Sequence, residues 1–418
     1  GLTFPNRLVK AAMTEGLADP RNRVTDAHLT LYRRWADGRA GGLITGNVQI
    51  DRHHLERVGN VVIDAQTGDD QIDMFSRWAA AAKSKGAAFI MQVSHAGRQT
   101  PKLVNSRPAA PSPVALGLPG GQFGEPRAMT QDEIRNVVDG FGRATKLAKR
   151  AGFDGVQVHA AHGYLLSSFL SPLANRREDD WGGPLENRAR LLVDCVREAK
   201  VQGGKAFSVS VKLNSADFQK GGFSHEDCLK VIDILNGLGV DFVEISGGNY
   251  EQPKMMDMEG LEPSFEETKR TSTREREAYF LSYAKSVQDR ASMPLMVTGG
   301  FRTLAGMNSA VDASEADLIG IGRPLCVDTE TPAKLLSGAI EAADRWESRL
   351  RIGPGIFGPN SPIKLIKALN GFGAQGWYYE QIRLLAANKM PDPEMGVLQA
   401  FMAHQRRESS SAKTWRAA

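Results

Sequence analysis

The 418-residue chain sets 52 Lys plus Arg against 48 Asp plus Glu, a net charge of +4, with the basic residues scattered. That balance offers nucleic acid or an anionic membrane no concentrated patch, and no apolar run approaches the roughly 18–20 residues that cross a bilayer. At 41% hydrophobic and 24% charged residues, a disordered or fibrous chain is excluded, and the length suits one large barrel with an appendage.

The chain opens at Gly1 rather than at a methionine, directly on a first strand, which points to residues upstream of it. From there, short apolar runs that read as buried strands fall at 8–13, 43–47, 87–93, 155–159, 207–213, 242–245, 295–298 and 318–321, bounded by Gly, Pro or polar residues. Helical patterns lie between them at 27–38, 71–85, 131–151, 185–201, 226–238, 273–287 and 304–310, with a last one at 331–351. Continuous apolar strands alternating with helices predict a parallel sheet covered on its faces. Eight such units predict an α/β fold, a (β/α)8 TIM barrel. The competing doubly wound sheet would carry a GxGxxG turn after an early strand, and none is present.

Two segments read as insertions: the Pro- and Gly-rich stretch 101–127 after the third strand, and the aperiodic stretch 249–270 after the sixth. The barrel is expected over 1–345. Residues 346–418 form a C-terminal extension with one amphipathic helix around 376–388 and a polar, frayed tail over 406–418. The extension's Trp377, Tyr378 and Tyr379 suit either a core or the interface of a homodimer. Cys195, Cys228 and Cys326 share no CxxC or zinc spacing, so no disulfide framework and no metal site are expected, and a reducing, cytoplasmic compartment fits.

Chemistry concentrates at the ends of the predicted strands, which in such a barrel open onto one mouth. His159 ends the fourth strand, and His162 and Tyr164 follow within a turn, so three proton-handling side chains converge. Two histidines three apart would also suit a metal, but only Glu244 among the other strand ends is an obvious further ligand. VTGGFR at 297–302 and IGRP at 321–324 put Gly299, Gly300, Gly322 and Arg323 after the last two strands, where barrels hold phosphate. Lys212 interrupts an apolar strand and should meet a negative group; it suits either an anionic cofactor or a Schiff-base amine. Gln92 offers both donor and acceptor to a ring edge, and Thr14 offers a hydroxyl.

Taken together, NRLVKAAMT at 6–14, MQVSHAGR at 91–98, HAAHGYLLSSFLSP at 159–172 and GRP at 322–324 resemble the old yellow enzyme family, in its FMN-dependent NADH:flavin oxidoreductase branch. The resemblance spans about residues 1–345. It implies that Ala11, Ala12, Met13 and Thr14 meet the FMN ring, that Gln92 reads its pyrimidine edge, and that Lys212 stands where the family usually has arginine. Asn47 falls where many relatives have alanine. Gly299, Gly300, Gly322 and Arg323 would hold the phosphate. NADH or NADPH would supply hydride through the flavin to an enone or enal, a small-molecule α,β-unsaturated carbonyl substrate. His159 and His162 would hold the carbonyl oxygen and Tyr164 would deliver the proton.

Overall fold

The computed structural model describes residues 2–118, 120–252 and 281–418. Eight short parallel strands form its centre: β1 (Leu8–Lys10), β2 (Gly42–Ile44), β3 (Ala88–Ser94), β4 (Gly155–Ala160), β5 (Ser208–Asn214), β6 (Val243–Ser246), β7 (Leu295–Thr298) and β8 (Leu318–Ile321). Each pairs with the next in sequence, and β8 returns to β1 through Leu8↔Ile319, Val9↔Gly320 and Lys10↔Ile321. The barrel is closed, so none of these eight strands presents a free edge. All eight predicted strands are present. The first is shorter than the sequence suggests: after Ala11, whose N–H still bonds Ile321 O at 2.9 Å, residues 12–14 leave the ladder and line a cavity.

The helices include α1 (Asp26–Asp37), α2 (Ile72–Ala82), α3 (Gln131–Arg150), α4 (Leu165–Leu170), α5 (Leu185–Gly203), α6 (His225–Leu238), α7 (Leu281–Gln288), α8 (Leu304–Asp312) and α9 (Thr331–Leu336). Their starts are chemically specified. Thr130 caps α3 in a reciprocal box with Glu133, Ser224 accepts from Asp227 N–H at α6, and Thr303 accepts from Gly306 N–H at α8. The helix expected over 273–287 is seen from Leu281; its earlier residues, and positions 253–270 of the second insertion, lie outside the described residues. The pattern at 331–351 is helical only to Leu336, then turns, with one helical turn at Trp346–Ser348.

After the barrel come two longer helices, α10 (Lys364–Ala386) and α11 (Val397–Ala417). The second replaces the frayed tail expected over 406–418. Trp415 Nε1 donates to Asn22 Oδ1 at 2.8 Å and Ala412 is buried, so tertiary contacts hold the tail helical. No helix among the described residues is long and apolar enough to cross a membrane.

Inside the barrel, side chains alternate along each strand, and those facing inward change character toward the mouth. The lower layer is apolar: Val9, Ile44, Ile90, Phe242, Met296 and Leu318 pack together. Two residues further along three of these strands, polar groups take over, with Gln92 after Ile90, Glu244 after Phe242 and Thr298 after Met296. Gly320 is the narrow point of this layer: a Cβ there would lie 1.9 Å from Thr298 Oγ1 and 2.8 Å from Met296 Cε.

Candidate active site

The polar layer is a hydrogen-bonded ladder that ends on an ion pair. Gln92 Nε2 donates to Gln157 Oε1 at 2.7 Å, Gln157 Nε2 donates to Glu244 Oε2 at 2.9 Å, and Glu244 Oε1 lies 2.7 Å from Lys212 Nζ. Parallel register brings these groups together, with Gln92 opposite Gln157, and Lys212 flanked by His159 and Glu244. Lys212 and Glu244 are buried, so the negative group expected for Lys212 is in part this carboxylate. Glu244, singled out above only as a metal ligand, is that lysine's counter-charge.

A cavity of about 210 Å³ is lined by Ala11, Ala12, Met13 and Thr14, by Gly299, Gly300, Gly322 and Arg323, and by His162 and Lys212. Sequence positions more than 300 residues apart thus meet as the motifs predict. Gly299 and Gly300 adopt φ of 131° and 86°, backbone that side-chain-bearing residues rarely take. Asn47, Gln92, His159 and Tyr164 are buried and do not line this cavity; Gln92 is committed to Gln157 and Asn47 to Glu56.

Two residues escaped the sequence reading on the phosphate side. Buried Arg302 lines the cavity and pairs with Glu347 at 2.7 Å, and Tyr378 of α10 donates to the other oxygen of Glu347 at 3.4 Å. Burial would raise the Glu347 pKa, but the Arg323 and Arg302 charges outweigh it and hold the carboxyl low. The cavity also shows unused hydrogen-bonding capacity. Thr298 Oγ1 and Arg302 Nε are buried without a partner, as a site built for a polar, anionic guest requires. This donor set fits FMN: the glycine turns with Arg302 and Arg323 for the phosphate, Lys212 for the electron-rich ring edge, and residues 11–14 along the ring.

On the substrate side, His159 Nδ1 accepts the Ala161 N–H at 3.2 Å, which places the ring proton on Nε2. Burial and the neighbouring Lys212 charge push its pKa well below the ordinary imidazole value, so it is a neutral donor. His162, at φ 62°, engages Ser246 Oγ through Nε2 at 2.9 Å. The His159 ring lies 5.2 Å from that of His162 and 5.0 Å from that of Tyr164, both edge-on. Burial, and after it the Glu56 charge, raises the Tyr164 pKa well above 10, so the phenol is protonated at neutral pH.

A second cavity of about 740 Å³ meets the first at Gln375 and Tyr379. Its walls come from the loop after β3, from Glu56, Arg57 and Tyr250, and from α10 and α11. The extension read above as interface or core therefore divides: Trp377 is fully buried, while Tyr378 and Tyr379 face the cavities. Arg57 fastens this hairpin to the barrel. Its guanidinium lies 3.7 Å from the centre of the Tyr379 ring, and Tyr379 stacks on His404 of α11. The same guanidinium bonds Glu408 at 2.5 Å.

Burial alone would raise the Glu408 pKa; Arg57 outweighs it and holds the carboxyl below its usual range. With the folded-state value depressed, the pair stabilises fully above the unfolded carboxyl's titration near about pH 4.3 and is lost as pH falls through the lower folded value. The melting-temperature difference between wild type and Glu408→Gln is therefore expected to be constant at neutral pH and to shrink below about pH 4. A difference that persists unchanged into acid would show that the pair does not hold the hairpin.

A cluster of Asp51, His54 and His95 beside the site has metal-like composition, and its hydrogen bonds account for it otherwise. His54 Nε2 accepts Ala109 N–H at 2.8 Å, leaving Nδ1–H to donate to Asp51 at 2.7 Å, and His95 Nδ1 accepts Gly97 N–H. A metal on His54 Nδ1 would leave an N–H facing an N–H at the other nitrogen. The cluster ties the loop after β2 to the loops after β3.

Residues 2–341 match the family model described as NADH:flavin oxidoreductase / NADH oxidase. An NADH-dependent flavin oxidoreductase, iliE of Neonectria sp. (strain DH2), is 38% identical over 79% of this chain, which spans 45% of that protein's length. Another, iccE of Talaromyces variabilis, is 34% identical over 92% of this chain and 96% of its own. The solved old yellow enzyme homologue of Zymomonas mobilis superposes with a TM-score of 0.68 at 25% identity, covering 83% of this chain and 93% of that one. The chain belongs to the NADH:flavin oxidoreductase / NADH oxidase family.

Proposed function

We propose that this FMN-dependent oxidoreductase reduces the activated C=C bond of an α,β-unsaturated carbonyl compound at the expense of NADH or NADPH, with Tyr164 delivering the proton. The observation that carries the reading is the pairing of a neutral imidazole, its Nε2–H unengaged by the Nδ1 contact, with a protonated phenol whose ring centre lies 5.0 Å away. FMN, when bound, supplies the two-electron exchange between nicotinamide and substrate.

The chain's own residues supply the rest. His159 donates to the carbonyl oxygen, and His162, turned inward by its left-handed backbone, offers a second contact. Both stabilise negative charge as it builds on that oxygen. The buried Tyr164 hydroxyl is costly to ionise where it stands, and it gives up its proton only as the adjacent carbon becomes basic. Lys212 sets a positive charge under the site, moderated by Glu244. Burial around all of these groups excludes water that would compete for the proton.

The test is an anaerobic one. Protein reduced by nicotinamide is mixed with 2-cyclohexenone or with cyclohexanone, and flavin absorbance is followed. The enone should restore the oxidised spectrum and the saturated ketone should not. Reoxidation by oxygen or quinones with no response to any enone would overturn the reading.

A further inference from the structure

A buried acid that gives up its proton in every turnover must get one back, and around Tyr164 the structure shows a way in. The Tyr164 hydroxyl lies 2.8 Å from the hydroxyl of Tyr250, four residues beyond the end of β6. The Tyr250 hydroxyl lies 3.5 Å from Glu56 Oε1, and both Tyr250 and Glu56 line the 740 Å³ cavity, which Tyr164 does not. Glu56 is itself fixed: its other oxygen accepts Thr14 Oγ1–H at 2.6 Å and Asn47 Nδ2–H at 2.7 Å. Tyr250 is fixed as well. Its N–H donates to Gln99 Oε1 at 3.4 Å, and its neighbour Glu251 is clamped by Arg98 at 2.7 Å and by Gly117 N–H at 2.8 Å.

We propose that Tyr250, backed by Glu56, is the relay that returns a proton to Tyr164 from water in the outer cavity. The proposal rests on Tyr164 being the proton donor. As the Tyr164 O–H bond breaks and the substrate C–H bond forms, the Tyr250 O–H proton moves onto the Tyr164 oxygen, and water in the cavity replaces it on Tyr250. One solvent proton is consumed per turnover and no further redox partner is needed. At rest the Tyr164 hydroxyl donates to Tyr250 and the Tyr250 hydroxyl to Glu56, and as Tyr164 ionises the Tyr250 O–H turns from Glu56 to it; the Glu56 carboxylate repels a phenolate on either ring, so the pair rests with both phenols protonated. Burial first and Glu56 second raise the pKa of both tyrosines above the ordinary phenol value. The other titratable groups facing the pair are Arg57 and Tyr379, from the loop after β2 and from α10, and His159 of β4. His159 is neutral, and Arg57, engaged by Glu408 and Tyr379, pulls Tyr250 down by less than Glu56 pushes it up, so Glu56 is the larger charge acting on the phenols.

The experiment compares wild-type, Tyr250→Phe, Glu56→Gln and Tyr164→Phe holoenzymes, each reduced by nicotinamide and then reoxidised by 2-cyclohexenone in stopped flow. Tyr250→Phe keeps the ring and removes the hydroxyl. It is expected to slow reoxidation about tenfold, the value of one hydrogen bond to a developing phenolate, and to leave reduction by nicotinamide unchanged. In mixtures of light and heavy water the wild-type rate should follow a bowed curve, because more than one proton moves, and the Tyr250→Phe rate a straight line. Independently of turnover, tyrosinate difference absorbance should place the Tyr164 titration at lower pH in Glu56→Gln than in wild type. An unchanged reoxidation rate and a bowed curve in Tyr250→Phe, with Tyr164→Phe slow, would overturn the relay and leave the donor assignment standing. Equal loss of both half-reactions in Tyr250→Phe would reduce Tyr250 to a structural role and overturn it too. A Tyr164→Phe protein that reoxidises at the wild-type rate would remove the donor, and the relay with it.

Discussion

Replacing Tyr164 with phenylalanine is expected to slow reoxidation of the reduced protein by an enone by about 10²–10⁴-fold, the usual contribution of a positioned general acid. Reduction by nicotinamide should change little. The argument is geometric. The Tyr164 ring packs edge-on against His159 and Tyr250 at 5.0 and 5.8 Å, so phenylalanine fills the same volume and those contacts survive. Only the hydroxyl is lost. Stopped-flow traces of the two half-reactions, measured separately, check this. A parallel fall in both would mean that the side chain supports the site rather than acting in it.

The second large effect concerns stability. Lys212→Met is expected to cost about 3–5 kcal/mol, because it leaves the Glu244 carboxylate buried without its cation. Denaturant melts should show a lower midpoint at unchanged slope. The double variant Lys212→Met/Glu244→Gln should recover most of the loss, since a glutamine can still accept from Gln157 Nε2 and carries no charge to strand. FMN affinity should stay low in both variants if Lys212 is the cation that meets the flavin, because it is gone from each. A Lys212→Met protein as stable as wild type would show that the pair carries little of the barrel's stability, and full flavin affinity in the double variant would dismiss Lys212 from the cofactor site.

How much of this was legible in the sequence follows from what sequence encodes locally. The eight strands were, because each is a short apolar run with turn residues at its ends. The polar layer was partly so: Lys212 and Gln92 stand out within apolar runs, and counting in steps of two from Phe242 to Glu244, or from Ile90 to Gln92, picks out the inward face. Their pairing was not, because which carboxylate meets Lys212 depends on the register between β5 and β6. Glu56 and Tyr250 left no signal at all. One lies in an aperiodic loop and the other at the start of a presumed insertion, and only barrel closure brings them together. The tail was misread for a related reason. Ser409, Ser410 and Ser411 are poor helix formers in isolation, and the Trp415 hydrogen bond that helps keep them helical is with Asn22, near the other end of the chain.

Gln375, Tyr378 and Tyr379 line the inner cavity although they lie beyond residue 341, where the match to the family ends. A chain cut after the matched region would keep every recognised motif and lose one wall of the flavin chamber. The stretch that carries the recognised motifs and the stretch that closes the chamber beside them are thus separate in the polypeptide, so changes in the trailing hairpin reach the chamber without altering any motif.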